Sequence, residues 1–466
     1  MRLVAGVDSS TQACKVVVAD ADTGRIVRQG RAPHPGGTEV DPEAWWQALQ
    51  QALAEAGGLE GVSAIGIAGQ QHGMVALDAS GEVIRDALLW NDTRSAQAAA
   101  DLTTEVGAGE YSRRTGLVPV ASFTATKLRW LAENEPENAE RIAAVALPHD
   151  WLLWRLRGYG PTESDPLGAD LEELVTDRSE ASGTAYFNSM TDSYDRELLA
   201  RSLRRTEAEG ITLPRVLEPD AHVPGPGWIA SAGAGDNAAA GLGLGLSRGD
   251  VVISIGTSGT VFASAPTPVT APSETVPVFA DAAGGFLPIV TTLNAARVFD
   301  AIGGLLGVDN AELGALALQA SPGAGGLVLQ PWFEGERTPN RADATASLFN
   351  LTLATTTREN VARAAVEGVL CSLAYGVEAL KTHGLPAERI VLIGGAAQNP
   401  AVQEIAAQVF AAPVVVPAPG EYVAHGAAKQ ASWALEQEMP EWPLVIEREL
   451  PTDHVPGIYQ AFRSHL

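Results

Sequence analysis

Apolar and polar positions along this chain fall into two recurring patterns, short apolar runs of strand length and longer stretches with helical spacing. Leu3–Val7, Lys15–Ala19 and Ala64–Ile67 read as strands, and Pro42–Ala56, between the last two, reads as a helix. Asp41 offers a side-chain oxygen to the first free N–H groups of that helix, and Pro42 has no N–H to leave unpaired. In the second half, Val251–Ile255 and Ile390–Ile393 read as strands. Thr356 and Glu359 form a capping-box pattern opening a helix, with Val361, Ala365, Val369, Leu373, Val377 and Leu380 on one buried face. Asn399 before Pro400 starts another helix in the same way. Strand and helix alternate through both halves, which predicts a layered α/β architecture.

Two stretches break the pattern. Gly158–Glu180 mixes glycines, prolines and carboxylates and reads as an exposed loop with a short helical piece. Pro266–Pro277 is rich in Pro, Ser and Thr and reads as irregular. With 466 residues the chain is long enough for two large domains. The boundary is expected near residues 245–250, which gives domains 1–245 and 246–440 and a tail 441–466.

Charge narrows the partners. Lys and Arg total 31 against 56 Asp and Glu, a net charge of -25, which repels nucleic acid and anionic lipid but not a small anion met by local donors. Cys14 and Cys371 are too few for a disulfide framework or a zinc cluster. The uncharged stretch Leu313–Phe333 is interrupted by Pro322 and Pro331, so it does not read as a membrane span. No leader-like segment precedes the strand at Leu3, and a soluble cytoplasmic protein is expected.

An internal echo links the halves. Gly6-Val7-Asp8-Ser9-Ser10-Thr11 and Ile255-Gly256-Thr257-Ser258-Gly259-Thr260 each end a strand, turn through small and hydroxyl residues, and lead into another strand. Such turns expose N–H groups and hydroxyls to phosphate oxygens, although either alone also reads as an ordinary hairpin. Asp8 beside the first turn is compatible with phosphate if Mg²⁺ lies between them, and Lys15 with the Ser9–Thr11 turn faces the phosphates. Gly233–Gly243 matches a dinucleotide fingerprint only superficially, since Asp236 sets a negative charge where pyrophosphate would lie. It reads better as glycines bringing backbone to a ligand and presenting Asp236 at a helix start, with a plain N-cap as the structural alternative. Gly69-Gln70-Gln71-His72-Gly73 follows a strand and suits a hydroxylated ligand. Trp90-Asn91-Asp92-Thr93-Arg94 offers an aromatic face and hydrogen-bonding groups that suit a sugar, or else caps a helix. Gly394-Gly395 leaves backbone bare for a flat group such as an adenine.

Taken in order, these motifs, with Gly335-Glu336-Arg337-Thr338-Pro339, resemble the FGGY carbohydrate kinases from about residue 3 to about 435. The resemblance implies two ribonuclease-H-like domains of the actin/hexokinase type with a cleft between them. It implies ATP and Mg²⁺, Asp236 as general base, and Gln71, His72, Trp90, Arg94, Asp236 and Asn237 at the sugar. It implies Ser10, Thr11, Gln12, Lys15, Gly256, Thr257, Gly394, Gly395 and Asn399 at ATP, Asp8 at the metal, and a homodimer. The Gln71-His72 segment, Phe123–Leu128 and Leu147–Asp150 are most similar to members phosphorylating D-xylulose to D-xylulose 5-phosphate in D-xylose catabolism. Other ketoses, ribulose or a polyol are the neighbouring alternatives, and an ATPase switch of the same superfold is a further one. Two departures stand out: some D-xylulose-specific members carry Met where this chain has Gln71, and the acidic loop Gly158–Leu174 is longer than the usual connection.

Overall fold

The computed structural model describes residues 2–161, 165–269 and 275–466. Two seven-stranded sheets organise the chain. The first runs Ile26–Pro33, Ala13–Asp20, Leu3–Ser9, Val62–Gly69, Ile229–Ser231 and His222–Pro224, and Ala234–Gly235 also pairs with Val62–Gly69. The second runs Val278–Ala280, Phe286–Thr292, Gly259–Phe262, Asp250–Ile255, Arg389–Ile393, Val414–Pro417 and Ile446–Leu450. Leu3–Ser9 is antiparallel to Ala13–Asp20 and parallel to Val62–Gly69, and in the same way Asp250–Ile255 is antiparallel to Gly259–Phe262 and parallel to Arg389–Ile393. This repeated plan, with helices on the sheet faces, is the two-domain ribonuclease-H-like architecture of actin/hexokinase-type ATPases. It explains the internal echo: the two small-residue turns join the first two strands of each sheet.

Local sequence sets the helices. Asp41 accepts from Glu43 N at 2.9 Å and starts Pro42–Glu55. The long helix is Arg358–Thr382, and its cap is Thr357, which accepts from Asn360 N at 3.2 Å, one residue later than expected. Thr356 instead turns back to donate to Thr352 O at 2.6 Å. Ala365, Val369, Leu373, Val377 and Leu380 are buried, so the expected face is the one that meets the second sheet.

The acidic stretch is the main correction. Residues 165–173 are exposed or half-buried, but Val175–Asp177 is a strand, Arg178–Ser182 a helix, and both are buried. Their polar groups look solvent-facing in the sequence because their partners are distant. The Arg178 guanidinium donates to Gly285 O at 2.8 Å and Ser189 O at 3.0 Å. Residues 162–164 of this stretch, and 270–274 of Pro266–Pro277, lie outside the described residues. Among the described residues no single helix is long and apolar enough to cross a membrane.

Helix Tyr422–Glu436 follows the second sheet's Val414–Pro417 yet packs against the first sheet and against helix Asp236–Gly243. The approach is backbone to backbone. A Cβ at Gly6 would stand 1.9 Å from Ala424 O, and one at Gly426 would stand 1.8 Å from Ala239 O. Gly6→Ala should therefore destabilise the protein by about 3 kcal/mol, the upper end of the usual overpacking cost. Gly109→Ala, inside helix Ala108–Thr115 with nothing within 4 Å of the added methyl, should be neutral or stabilising by up to about 1 kcal/mol. Urea denaturation of the two variants beside the wild type measures the contrast.

Candidate active site

Three parallel strands end side by side. Asp8 pairs in register with Ala68 and Ser9 with Gly69, while Ala234 and Gly235 pair with the same two residues from the other side. Asp8, Gln70 and Asp236 therefore emerge along one edge, the position where open α/β sheets bind ligands.

Asp8 is buried, with 2% of its surface exposed. Its Oδ2 lies 3.4 Å from Lys15 Nζ, whereas Oδ1 is buried without a partner, as is the neighbouring Ser9 hydroxyl. Burial pushes the Asp8 pKa up, against the pull of Lys15. Lys15 also pairs with Glu421 at 2.7 Å, just before the helix that packs on this sheet. The lysine expected at phosphates is thus held between two carboxylates.

Asp236 opens the helix Asp236–Gly243, and Gly235, not Asp236, occupies the cap position. The plain N-cap alternative is therefore not realised. One oxygen, Oδ1, accepts from both the backbone N and Nδ2 of Asn237, each at 2.7 Å, and Oδ2 is left for a ligand. Burial first, and the nearby charge of Asp8 second, push its pKa up to about 7.

Gln71 and His72 stand beside it. The Gln71 side chain lies over Gly235, where an added Cβ would come within 2.7 Å, and its Nε2 donates to Ser179 O at 3.0 Å. His72 has φ 73°, a left-handed conformation uncommon outside glycine, which the surroundings must hold. Its Nδ1 donates to Gly183 O at 2.8 Å, and its ring sits against Phe123 and Phe279 at 5.1 and 5.6 Å between centroids. Burial, then the charge of Lys127, hold the imidazole pKa down to about 3. The ring is neutral, and its Nε2 is an acceptor.

The sequence reading missed the element that positions all three. Helix Arg178–Ser182 supplies Ser179 O to Gln71, leads into Gly183 O for His72, and turns Ser179 Oγ to accept from Gly235 N at 2.9 Å. Asp177 caps it, accepting from Ser179 N, Ser179 Oγ and Glu180 N. Asp177 followed by Ser179 is a local cap signal, but nothing local marks the helix as buried. Glu180 is fully buried with neither carboxylate oxygen partnered, and burial raises its pKa well above the usual range.

The remaining expected residues divide. Trp90 Nε1 donates to Thr11 Oγ1 at 2.8 Å, tying the indole to the first hairpin, where Ser10 and Thr11 are half-buried and Gln12 exposed. Arg94, expected at the sugar, is instead committed to Asp92 at 2.9 Å and Glu39 at 2.7 Å, over the Trp130 ring. In the second hairpin Gly256 is half-buried and Thr257 exposed. Gly394 abuts this hairpin: its φ is 98° and a Cβ would meet Ile255 O at 2.6 Å, while Gly395 faces open space. Asn399, expected at the nucleotide, has both ends of its amide occupied. It accepts from Ala401 N at 2.9 Å and donates to Asn310 O at 2.8 Å, and so caps the helix Pro400–Val409.

Comparison with known proteins agrees with this geometry along nearly the whole chain. Residues 3–224 match the N-terminal domain, and 251–435 the C-terminal domain, of the FGGY family of carbohydrate kinases. The chain is 42% identical over 453 residues to the xylulose kinase of Streptomyces coelicolor, covering 94% of this chain and 89% of that protein. It is 32% identical over 483 residues to the xylulose kinase of Escherichia coli, covering 98% and 96%. Among solved structures, the xylulose kinase from Bifidobacterium adolescentis superposes with a TM-score of 0.92 at 46% identity, covering 99% of each chain. The chain belongs to the FGGY family of carbohydrate kinases.

Proposed function

We propose that this chain transfers the γ-phosphoryl group of ATP to the 5-hydroxyl of D-xylulose, giving D-xylulose 5-phosphate and ADP within D-xylose catabolism. The observation that carries the reading is the 42–46% identity, over nearly the full chain, to proteins named as xylulose kinases. Asp236 accepts the proton of the 5-hydroxyl as its oxygen attacks phosphorus in line. A carboxylate with a pKa near 7 is a better proton acceptor at neutral pH than an ordinary one, and about half of it is ionised there. Gln71 and His72 hold sugar hydroxyls, and Asn237 fixes the orientation of the Asp236 carboxylate. Phosphoryl transfer needs mainly positioning and charge neutralisation. The Ser10–Gln12 turn and Lys15 from one hairpin, and Gly256–Thr257 from the other, approach the phosphates, with Gly394 and Gly395 on the nucleotide side.

Mg²⁺ suits Asp8, whose Oδ1 is buried without a partner, because this ion takes one or two carboxylates and otherwise phosphate oxygens and water. When bound it would offset phosphate charge. Residues 1–245 then form the sugar domain and 246–440 the nucleotide domain, with 441–466 as a tail, in a cytoplasmic homodimer. Light scattering on the purified chain should give the mass of two copies.

A second sugar of the family remains the competing substrate because Gln71 replaces the Met of some D-xylulose-specific members. Coupled ADP release over D-xylulose, D-ribulose, L-ribulose and xylitol decides it: D-xylulose should give the highest kcat/KM, and a clear preference for another sugar overturns the assignment. Asp236→Ala should lose about 10²–10⁴ in kcat while still binding sugar. The wild-type rate should rise with pH through about 7 as Asp236 ionises. Stability moves the other way. The folded pKa lies above the unfolded value of about 3.9, so ionisation costs stability as pH rises from about 4 to about 7. Thermal melts should therefore find Asp236→Asn gaining on the wild type, with a larger advantage at pH 8 than at pH 5.

A further inference from the structure

The motif Gly335–Pro339 has no part in the mechanism above, yet its acid is buried with both oxygens occupied. Glu336 Oε1 accepts from Leu293 N and Arg337 N, each at 2.7 Å, and Oε2 accepts from Asn294 Nδ2 at 3.1 Å. The same amide of Asn294, itself fully buried, donates to Gly335 O at 2.7 Å. The backbone of the acid is fixed as well. Glu336 N donates to Arg341 O at 2.9 Å, and Arg341 N returns a bond to Glu336 O at 2.8 Å. Donors gathered in this way offset the cost of taking a carboxylate out of water. They also join two segments that are distant in the chain.

What the acid grips is the link between strand Phe286–Thr292 and helix Ala296–Leu306. Leu293 and Asn294 are held by Glu336, and the next two residues meet the second hairpin. Ala295 N donates to Thr257 O at 3.3 Å, and Ala296 N donates to Gly256 O at 2.9 Å. These two bonds orient two peptide groups of the hairpin. In a trans peptide the C=O and the N–H that follows it point in opposite directions. With the carbonyls of Gly256 and Thr257 turned onto the helix start, the N–H groups of Thr257 and Ser258 are turned away from it.

Among the described residues neither of those N–H groups has a hydrogen-bond partner. Thr257 is exposed and Ser258 half-buried, so a ligand can reach them. Gly256 N, by contrast, is spent inside the turn on Ser258 O at 3.1 Å. Successive free N–H groups in a turn make a concavity suited to an anion. Its aim depends on where Ala295 and Ala296 stand, and their place depends on the two residues before them.

We propose that Glu336 is a positioning residue for phosphoryl transfer: by gripping Leu293 and Asn294 it fixes the link through which Ala295 and Ala296 aim the Thr257 and Ser258 N–H groups at the phosphates of the nucleotide. The inference rests on the reading of this hairpin as a phosphate turn, given above. Glu336 itself touches no substrate. Its loss shifts two N–H groups away from the phosphate oxygens and leaves the sugar contacts, which belong to the other sheet, where they are.

The test compares Glu336→Gln and Glu336→Ala with the wild type in the full-length chain. Glutamine keeps an oxygen for Leu293 N and Arg337 N but turns an N–H₂ towards Asn294 Nδ2, whereas alanine releases all of these donors. Isothermal titration measures the affinities for ATP with Mg²⁺, for adenosine and for D-xylulose separately. ATP affinity should fall about 10- to 100-fold in Glu336→Ala, the usual worth of a hydrogen bond to a charged group, and by less in Glu336→Gln. Affinities for adenosine and D-xylulose should stay within about twofold. Equal losses on ATP and adenosine, a matching loss on D-xylulose, or an unchanged ATP affinity would each overturn the proposal. If Glu336→Ala does not fold, the same comparison in Glu336→Gln decides it. Thr257→Pro deletes one of the two N–H groups and leaves the Glu336 contacts alone, so it tests the phosphate-turn reading separately. Unchanged ATP affinity in that variant sinks the reading, while a loss there with none in the Glu336 variants sinks only the proposal.

Discussion

Helix Tyr422–Glu436 lies so close to the first sheet that a single methyl group at Gly6 or Gly66 would collide with its backbone. That contact requires small residues on both sides, and Ala424, Ala427 and Ala428 supply them on the helix. The same helix crosses Asp236–Gly243, where Gly426 meets Ala239 O. Both contacts bear on the site. Gly6 lies two residues before Asp8 on the first strand, and Asp236 begins the crossed helix. The separation between the two carboxylates is therefore set by backbone packing, which deforms far less readily than side-chain packing. Glu421, at the helix start, adds a charge contact to Lys15 from the same direction.

Fixing two carboxylates near each other in a buried edge has an electrostatic cost, and the protein carries it at the site. Surface carboxylates such as Glu105, Glu110 and Glu197 meet arginines that hold their pKa values down. At the site the direction reverses: Asp8, Asp177, Glu180 and Asp236 are all raised, with burial the largest cause in each. Four raised carboxylates gathered at one sheet edge mark a candidate region for proton transfer. A bulk charge of -25 conceals the distinction, because most of it is solvated or paired.

What could be read from the sequence follows from the range of the interactions. The two hairpins, the Asp41 and Asn399 caps and the placing of Asp236 at a helix start depend on neighbours a few residues away, and they were legible. The duplicated sheet order was foreshadowed by two similar turns. Roles fixed by distant partners were not. Arg94 sits in a motif that suits a sugar, but Glu39 and Trp130 take its guanidinium. Asn399 lies beside Gly394-Gly395, yet its amide is consumed by its own helix and by Asn310. The run Val175–Ser182 looked solvated because it is polar, although Arg178 and Ser179 find partners more than 50 residues away. The long-helix cap was missed by one residue, since Thr356 and Thr357 are equivalent in composition and only the chain path chooses between them.

The buried helix Arg178–Ser182 carries this logic furthest. Towards the sugar pocket it fixes Gln71, His72 and the residue before Asp236. Towards the second sheet, Ser182 Oγ accepts from Ala280 N at 3.1 Å and Arg178 donates to Gly285 O, both in the hairpin that carries Phe279 against the His72 ring. One five-residue element therefore couples the geometry of the sugar contacts to the joint between the lobes. It shares that joint with helix Tyr422–Glu436, so a relative movement of the lobes bears on the groups that hold Gln71 and His72, and a ligand bound to those residues bears on the joint in return. A kinase that must not spend ATP on water needs such a link between sugar binding and closure. In this chain it runs through hydrogen bonds to backbone carbonyls, which substitution of the sugar-contacting side chains alone would leave in place.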